Sequence, residues 1–251
     1  MATGIPAITM APAGNIILIS WSKAVERSKI VRLAIAAVAV LLGGASLYLS
    51  APIFVGDLRL VPGNATLRNI QERKPVTPKG IEDLIASRHH ALEWWDSERV
   101  WTDLGLAHLV FSAWVDKAHV QGELLSARDA LHRGLTRAPA SPYAWTRLAY
   151  VEYLLEGVSE EMVRALRMAL ITGPHERFIS YVRFELGLLA WNQLRHSDRI
   201  LVERQAARVW AFSPGRALEI ARARGKTSLL RRALANSPDQ LRAFERRMKK
   251  G

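Results

Sequence analysis

The chain has 251 residues, 49% of them hydrophobic, which is ample for one core-forming domain and an anchor besides. It contains no cysteine, which excludes disulfides, thiolate nucleophiles and cysteine-ligated zinc or iron–sulfur sites. The formal net charge of +12 favours anionic partners, and it is concentrated: residues 216–250 hold 11 Lys and Arg against 3 Asp and Glu, a local net of +8.

In chain order, residues 1–29 read as a tail. Residues 33–55, LAIAAVAVLLGGASLYLSAPIFV, form a run of 23 residues whose only ionisable group is the Tyr48 phenol. As a helix this run covers roughly 34 Å, enough for a hydrocarbon core of about 30 Å. The expected membrane helix therefore occupies residues 30–55. One alternative is a buried core helix, against which stands the lack of a polar face. Another is a cleaved signal peptide, with Gly43-Gly44-Ala45-Ser46 as a small-residue cleavage region. The apolar run is longer than such a peptide uses, and the segment before it is long for an n-region. Lys23, Arg27, Lys29 and Arg32 precede the span, whereas Arg59 and Arg68 follow it in a comparable window. The positive-inside rule then places the N-terminus in the cytoplasm and the remainder in the periplasm, anchored in the inner membrane.

Residues 56–78 contain Gly56, Pro62, Gly63, Asn64, Pro75 and Pro78, the punctuation of an extended linker. From residue 79 to 238 the pattern is helical: Leu, Ala, Arg and Glu dominate, and apolar residues recur at three- and four-residue spacing. Ser141-Pro142, Ser159-Glu160-Glu161, Ser197-Asp198 and Ser237-Pro238-Asp239 read as helix starts. Residues 239–251 form a basic C-terminal helix or tail.

Two patterns recur within the helical part. Gly134-Leu135, Ala169-Leu170, Val209-Trp210 and Ala233-Leu234 are each followed by a proline, at Pro139, Pro174, Pro214 and Pro238. Three residues before each pair stands Leu131, Leu166, Ala206 or Leu230. Earlier in each unit, Trp101-x-x-Leu104-Gly105 is matched by Trp145-x-x-Leu148-Ala149 and, loosely, by Arg183-x-x-Leu186-Gly187. A small residue in the fifth place lets two helices approach closely, and the proline ends the second helix.

These half-patterns resemble the tetratricopeptide repeat over roughly residues 98–238, best in Pro142–Pro174. The tyrosine of that signature is replaced by His108 and Glu152. The first unit carries about ten extra residues before its second helix. Another α-hairpin array would leave similar signs. The resemblance implies an all-α fold, a membrane helix followed by a helical-hairpin solenoid, and a scaffold or adaptor that binds a protein partner. The layout of anchor plus repeats is similar to small proteins of bacterial envelope and polysaccharide-export systems.

In the repeat's frame, Tyr143, Thr146, Tyr150 and Tyr153 would face a partner groove. The next unit would add Tyr181, Phe184, Leu188, Trp191 and Asn192. An aromatic stripe with polar tips suits a peptide or a sugar chain; the alternative is that these rings pack between repeats. The basic end (Arg222, Arg224, Lys226, Arg231, Arg232, Arg242, Arg246 and Arg247) offers a patch for an anionic polymer such as an exopolysaccharide. Its alternative is a solvated helix face. Nucleic acid fits poorly with a periplasmic domain. His89-His90-x-x-Glu93 is not a zinc-protease motif, and no G-x-S-x-G or phosphate loop occurs. Trp94-Trp95-Asp96 reads as a hydrophobic knot at a helix junction. Neither a cofactor nor a catalytic residue is expected.

Overall fold

The computed structural model describes residues 14–249, with side chains from residue 31 onward. Eleven helices and no strand occur among the described residues, so the all-α expectation holds. The chain divides into two units, residues 1–53 and 54–251.

The first unit supplies the leading part of α1 (Gly14–Gln71). The expected tail of residues 1–29 lies outside the described residues as far as residue 13, and its remainder is helical. From Val31 to Ile53 every side chain is exposed. The apolar stretch is therefore not a core helix of the fold. It belongs to the single helix, among the described residues, that is long and apolar enough to cross a membrane.

The second unit begins with a departure from expectation. Residues 56–71 are not an extended linker but continue α1, and only residues 72–77 form a turn before α2 (Pro78–Leu92). Packing overrides the local punctuation here. Gly56, Leu60, Gly63 and Leu67 are all buried and spaced for one helix face. The glycines serve close approach: a Cβ at Gly63 would lie 2.9 Å from Leu84 Cα and 2.4 Å from Ser87 Oγ. Leu60 packs with Ala91 of α2, and Leu67 with Leu84. Gly63 meets Leu84 while Gly56 meets Ala91 and Trp95, so α2 runs back along α1.

Consecutive helices then pair. α3 (Glu98–Phe111) packs on α4 (Lys117–Arg137), α5 (Pro142–Glu156) on α6 (Glu160–Thr172), and α7 (Arg177–Leu189) on α8 (His196–Phe212). The recurring sequence positions are the interior of these pairs. Leu131, Leu166, Ala206 and Leu230 are fully buried, as are Leu104, Leu148 and Leu186 at the other half-pattern. The glycines after Leu104 and Leu186 work as expected, and Ala149 after Leu148 is fully buried. A Cβ at Gly105 would lie 2.6 Å from Leu131 Cγ, and one at Gly187 2.7 Å from both γ-carbons of Val202. The extra residues of the first unit lengthen α4, which at 21 residues exceeds α6 by two turns.

One core cluster gathers Leu131, Leu148, Leu166 and Leu186. A second joins Phe184, Leu188 and Trp210 to α9 (Pro214–Ala223), α10 (Thr227–Ala233) and α11 (Pro238–Met248). Phe244 docks α11 by an edge contact with Trp210, ring centroids 5.7 Å apart. Residues 239–248 thus lie in a packed helix with Lys249 as its C-cap, and residues 250–251 lie outside the described part.

Ser141 and Ser159 cap their helices by accepting the Ala144 and Met162 N–H groups. Ser237 occupies the N-cap of α11 without a side-chain bond. Ser197 lies inside α8, whose N-cap is Arg195. The pull there is tertiary: Asp198, in the first turn, is buried and accepts two bonds from Arg167 of α6, at 2.8 and 2.6 Å.

Candidate partner-binding face

The nine groove candidates separate by burial, with Leu188 buried in the second core cluster. Thr146 is buried, and its hydroxyl donates to the Pro142 carbonyl, 2.7 Å away. Phe184 is fully buried in the second cluster. Neither can touch a ligand, because helical spacing turns both toward the interior. Tyr153 packs on the first cluster, Tyr181 on the second, and Trp191 on both. Tyr181 meets Phe212 edge-on at 5.6 Å between centroids. The Trp191 ring has two guanidinium groups over it, Arg199 and Arg232, each 5.3 Å from its centroid. Tyr150 and Asn192 are exposed, and Tyr143 is half-buried.

Apart from Asn192, what remains accessible clusters on α5. Tyr143, Arg147, Tyr150 and Leu154 recur at intervals of four, three and four, which places them on one helix face. Tyr150 and Leu154 are exposed. The lower part of this face is tied to both neighbours. Arg147 donates to the Thr102 carbonyl of α3 at 2.9 Å, and the Tyr143 hydroxyl donates to Glu176, the N-cap of α7, at 2.8 Å. Burial and the bond to Glu176 push the Tyr143 phenol above its ordinary range, so it remains a donor at neutral pH. Leu154 and Arg147 were not among the expected groove residues. The four-three-four spacing through Tyr150 was the available signal.

Buried arginines hold this side of the molecule together. Arg88 of α2 donates to the Leu60 carbonyl at 2.9 Å and to Asn64 at 2.8 Å. Asp103 lies 3.7 Å from the same guanidinium. Burial raises the Asp103 carboxyl above its usual value, against the opposing pull of Arg147, Arg88 and Arg99. Arg183 of α7 is fully buried and donates to the carbonyls of Ala169, Gly173 and Glu176 at 2.8, 2.5 and 3.0 Å. Burial pushes its pKa down to about 10, so it remains charged at neutral pH.

Half of the candidate residues of the basic end are paired with acids. Arg224 binds Glu185 at 2.5 Å, Arg231 binds Glu245 at 2.6 Å, and Arg232 binds Glu203 at 2.7 Å. Arg242 pairs with Asp239. Arg222, Lys226, Arg246 and Arg247 have no ion pair among the described residues. The candidate patch is therefore half neutralised within the fold, with α11 supplying two of the four carboxylates.

No protein-family model and no curated protein matches this chain.

Proposed function

We propose that the protein is a membrane-anchored adaptor with tetratricopeptide-like repeats, which holds a protein partner in a cell-envelope assembly. The N-terminus is cytoplasmic in this reading, the repeats are periplasmic in a bacterium, and the chain performs no catalytic step. The observation that carries it is the α5 face. Tyr150 and Leu154 stand exposed on a helix whose other residues are fixed to α3 and α7 by Arg147 and Tyr143. A rigid helix with a phenol and an aliphatic anchor one turn apart suits an apolar segment of another protein. Polysaccharide assembly is the setting suggested by the layout of anchor plus repeats.

The second reading, a module for an anionic polysaccharide, finds less support. Four arginines of the basic end already have carboxylate partners, and displacing them would cost part of any gain in affinity.

The test is capture from intact cells after gentle crosslinking, comparing wild type with Tyr150→Ala and Leu154→Asp. Both positions are exposed, so the variants should keep the wild-type helical circular dichroism. Loss of one envelope protein from the captured set in both variants is the expected result. Equal capture by all three proteins would dismiss the α5 face as the contact.

A further inference from the structure

The Trp94-Trp95 pair has no part in the proposed partner face, yet its position is tightly determined. α2 returns along α1, and the turn that follows α2 lies at Gly56: a Cβ there would be 3.1 Å from Trp95 Cβ and 3.5 Å from the Ala91 carbonyl oxygen. Gly56 directly follows the last residue of the apolar run, residues 33–55. Three residues beyond Ile53 rise only about 5 Å as helix, and reach no further than about 11 Å even when fully extended. The headgroup layer on each side of a bilayer is itself roughly 5–8 Å deep. Chain connectivity alone therefore keeps this turn close to the end of the span.

The side chains at that level match such a position. Trp94 is 49% exposed, although it is among the largest apolar groups in the chain. On the side of α1 turned away from α2, Phe54 and Leu58 are 69% and 60% exposed, and Val61 continues the same face. Large apolar groups are thus exposed both in the turn after α2 and on the far face of α1. The turn is also braced. Trp95 N–H donates to the Ala91 carbonyl at 3.0 Å, and Asp96 accepts from the Trp101 indole at 2.6 Å and pairs with Arg137 of α4. An exposed tryptophan held on a fixed turn loses little freedom on entering an interface, where its apolar ring and N–H suit the mixed environment.

We propose that Trp94, together with Phe54 and Leu58, forms a lipid-contacting collar at the end of the span. The occupant is the headgroup–acyl boundary of the membrane. The inference rests on the reading that residues 33–55 span the membrane.

The chain has no cysteine, so single-cysteine variants carry one spin label each without further changes. Full-length Trp94→Cys, Leu58→Cys, Leu42→Cys and Ser126→Cys would be labelled with a nitroxide in vesicles of phosphatidylethanolamine and phosphatidylglycerol. Collision rates with oxygen and with a water-soluble nickel chelate would then be compared. Leu42 reports the span, and Ser126, exposed on α4, reports water. The expected result is nickel access several-fold lower at positions 94 and 58 than at 126, with oxygen access below that at 42. Water-like access at both 94 and 58, with position 42 lipid-buried, overturns the collar and leaves the anchor standing. Water-like access at position 42 overturns the anchor, and the collar with it. Leu58→Cys retains the tryptophan pair, so agreement between positions 94 and 58 separates depth from any local effect of losing Trp94.

Discussion

Arg183 shows how far residues at matching sequence positions can differ in role between successive helix pairs. In the sequence pattern it is matched with Trp101 and Trp145, and in the fold it lies midway along α7, the first helix of the α7–α8 pair. Its chemistry there is different. The guanidinium lies fully buried and satisfies carbonyls at the end of α6 and in the α6–α7 turn. Replacing it with methionine keeps an aliphatic stem but removes every donor. Arg183→Met is expected to lower unfolding stability by roughly 3 kcal/mol, since unsatisfied buried carbonyls cost about 1–3 kcal/mol each. Urea denaturation followed by circular dichroism measures this, and a change below experimental scatter would show that the carbonyls find other donors. Of the groove candidates, Tyr150 and Asn192 are on the surface, while Thr146 and Phe184 are inside. Sequence spacing located the helix but not its rotation, because which face is covered depends on where α3 and α7 lie.

At the scale of elements, α1 and α2 carry the largest difference from expectation. Gly56, Pro62 and Gly63 suggest a linker when read locally. In the fold, the two glycines are the surface against which α2 packs. Gly63→Ala tests this directly. Alanine is favoured over glycine in a helix by about 1 kcal/mol, yet overpacking costs typically about 1–3 kcal/mol. With Leu84 Cα only 2.9 Å from the added carbon, the backbone itself must move, and net destabilisation is expected. The measurement is proteolysis at the 72–77 turn together with thermal unfolding. A variant as stable and as resistant as wild type would mean that the helices are not in close contact. The hairpins α3–α4, α5–α6 and α7–α8, by contrast, were legible. Their small residues and terminal prolines encode close approach and termination, which are local requirements that any helical hairpin must meet.

For the whole molecule, the leading helix and the helical unit are separable predictions. Deleting residues 31–53 should move the protein from the membrane pellet to the soluble fraction and leave the circular dichroism of the remaining helices intact. Continued sedimentation with membranes, resistant to alkaline carbonate, would show that the 54–251 unit binds them unaided. A C-terminal reporter active on only one side of the membrane supplies the orientation, with extracytoplasmic activity expected from the charge distribution.

Composition and periodicity are enough to specify the all-α class, the apolar run of residues 33–55, the paired-helix positions built on Leu131, Leu166, Ala206 and Leu230, and the excess of positive charge. Each of these is a matter of composition or period, which short-range sterics and hydrophobicity dictate without reference to distant residues. Packing between distant helices is what makes residues 56–71 helix, Phe184 core and Leu154 surface, and what gives Arg224, Arg231 and Arg232 their acidic partners. Those outcomes depend on which helices lie side by side. A glycine's cost, a ring's exposure and a cation's freedom are all set by the neighbour that the fold brings to it.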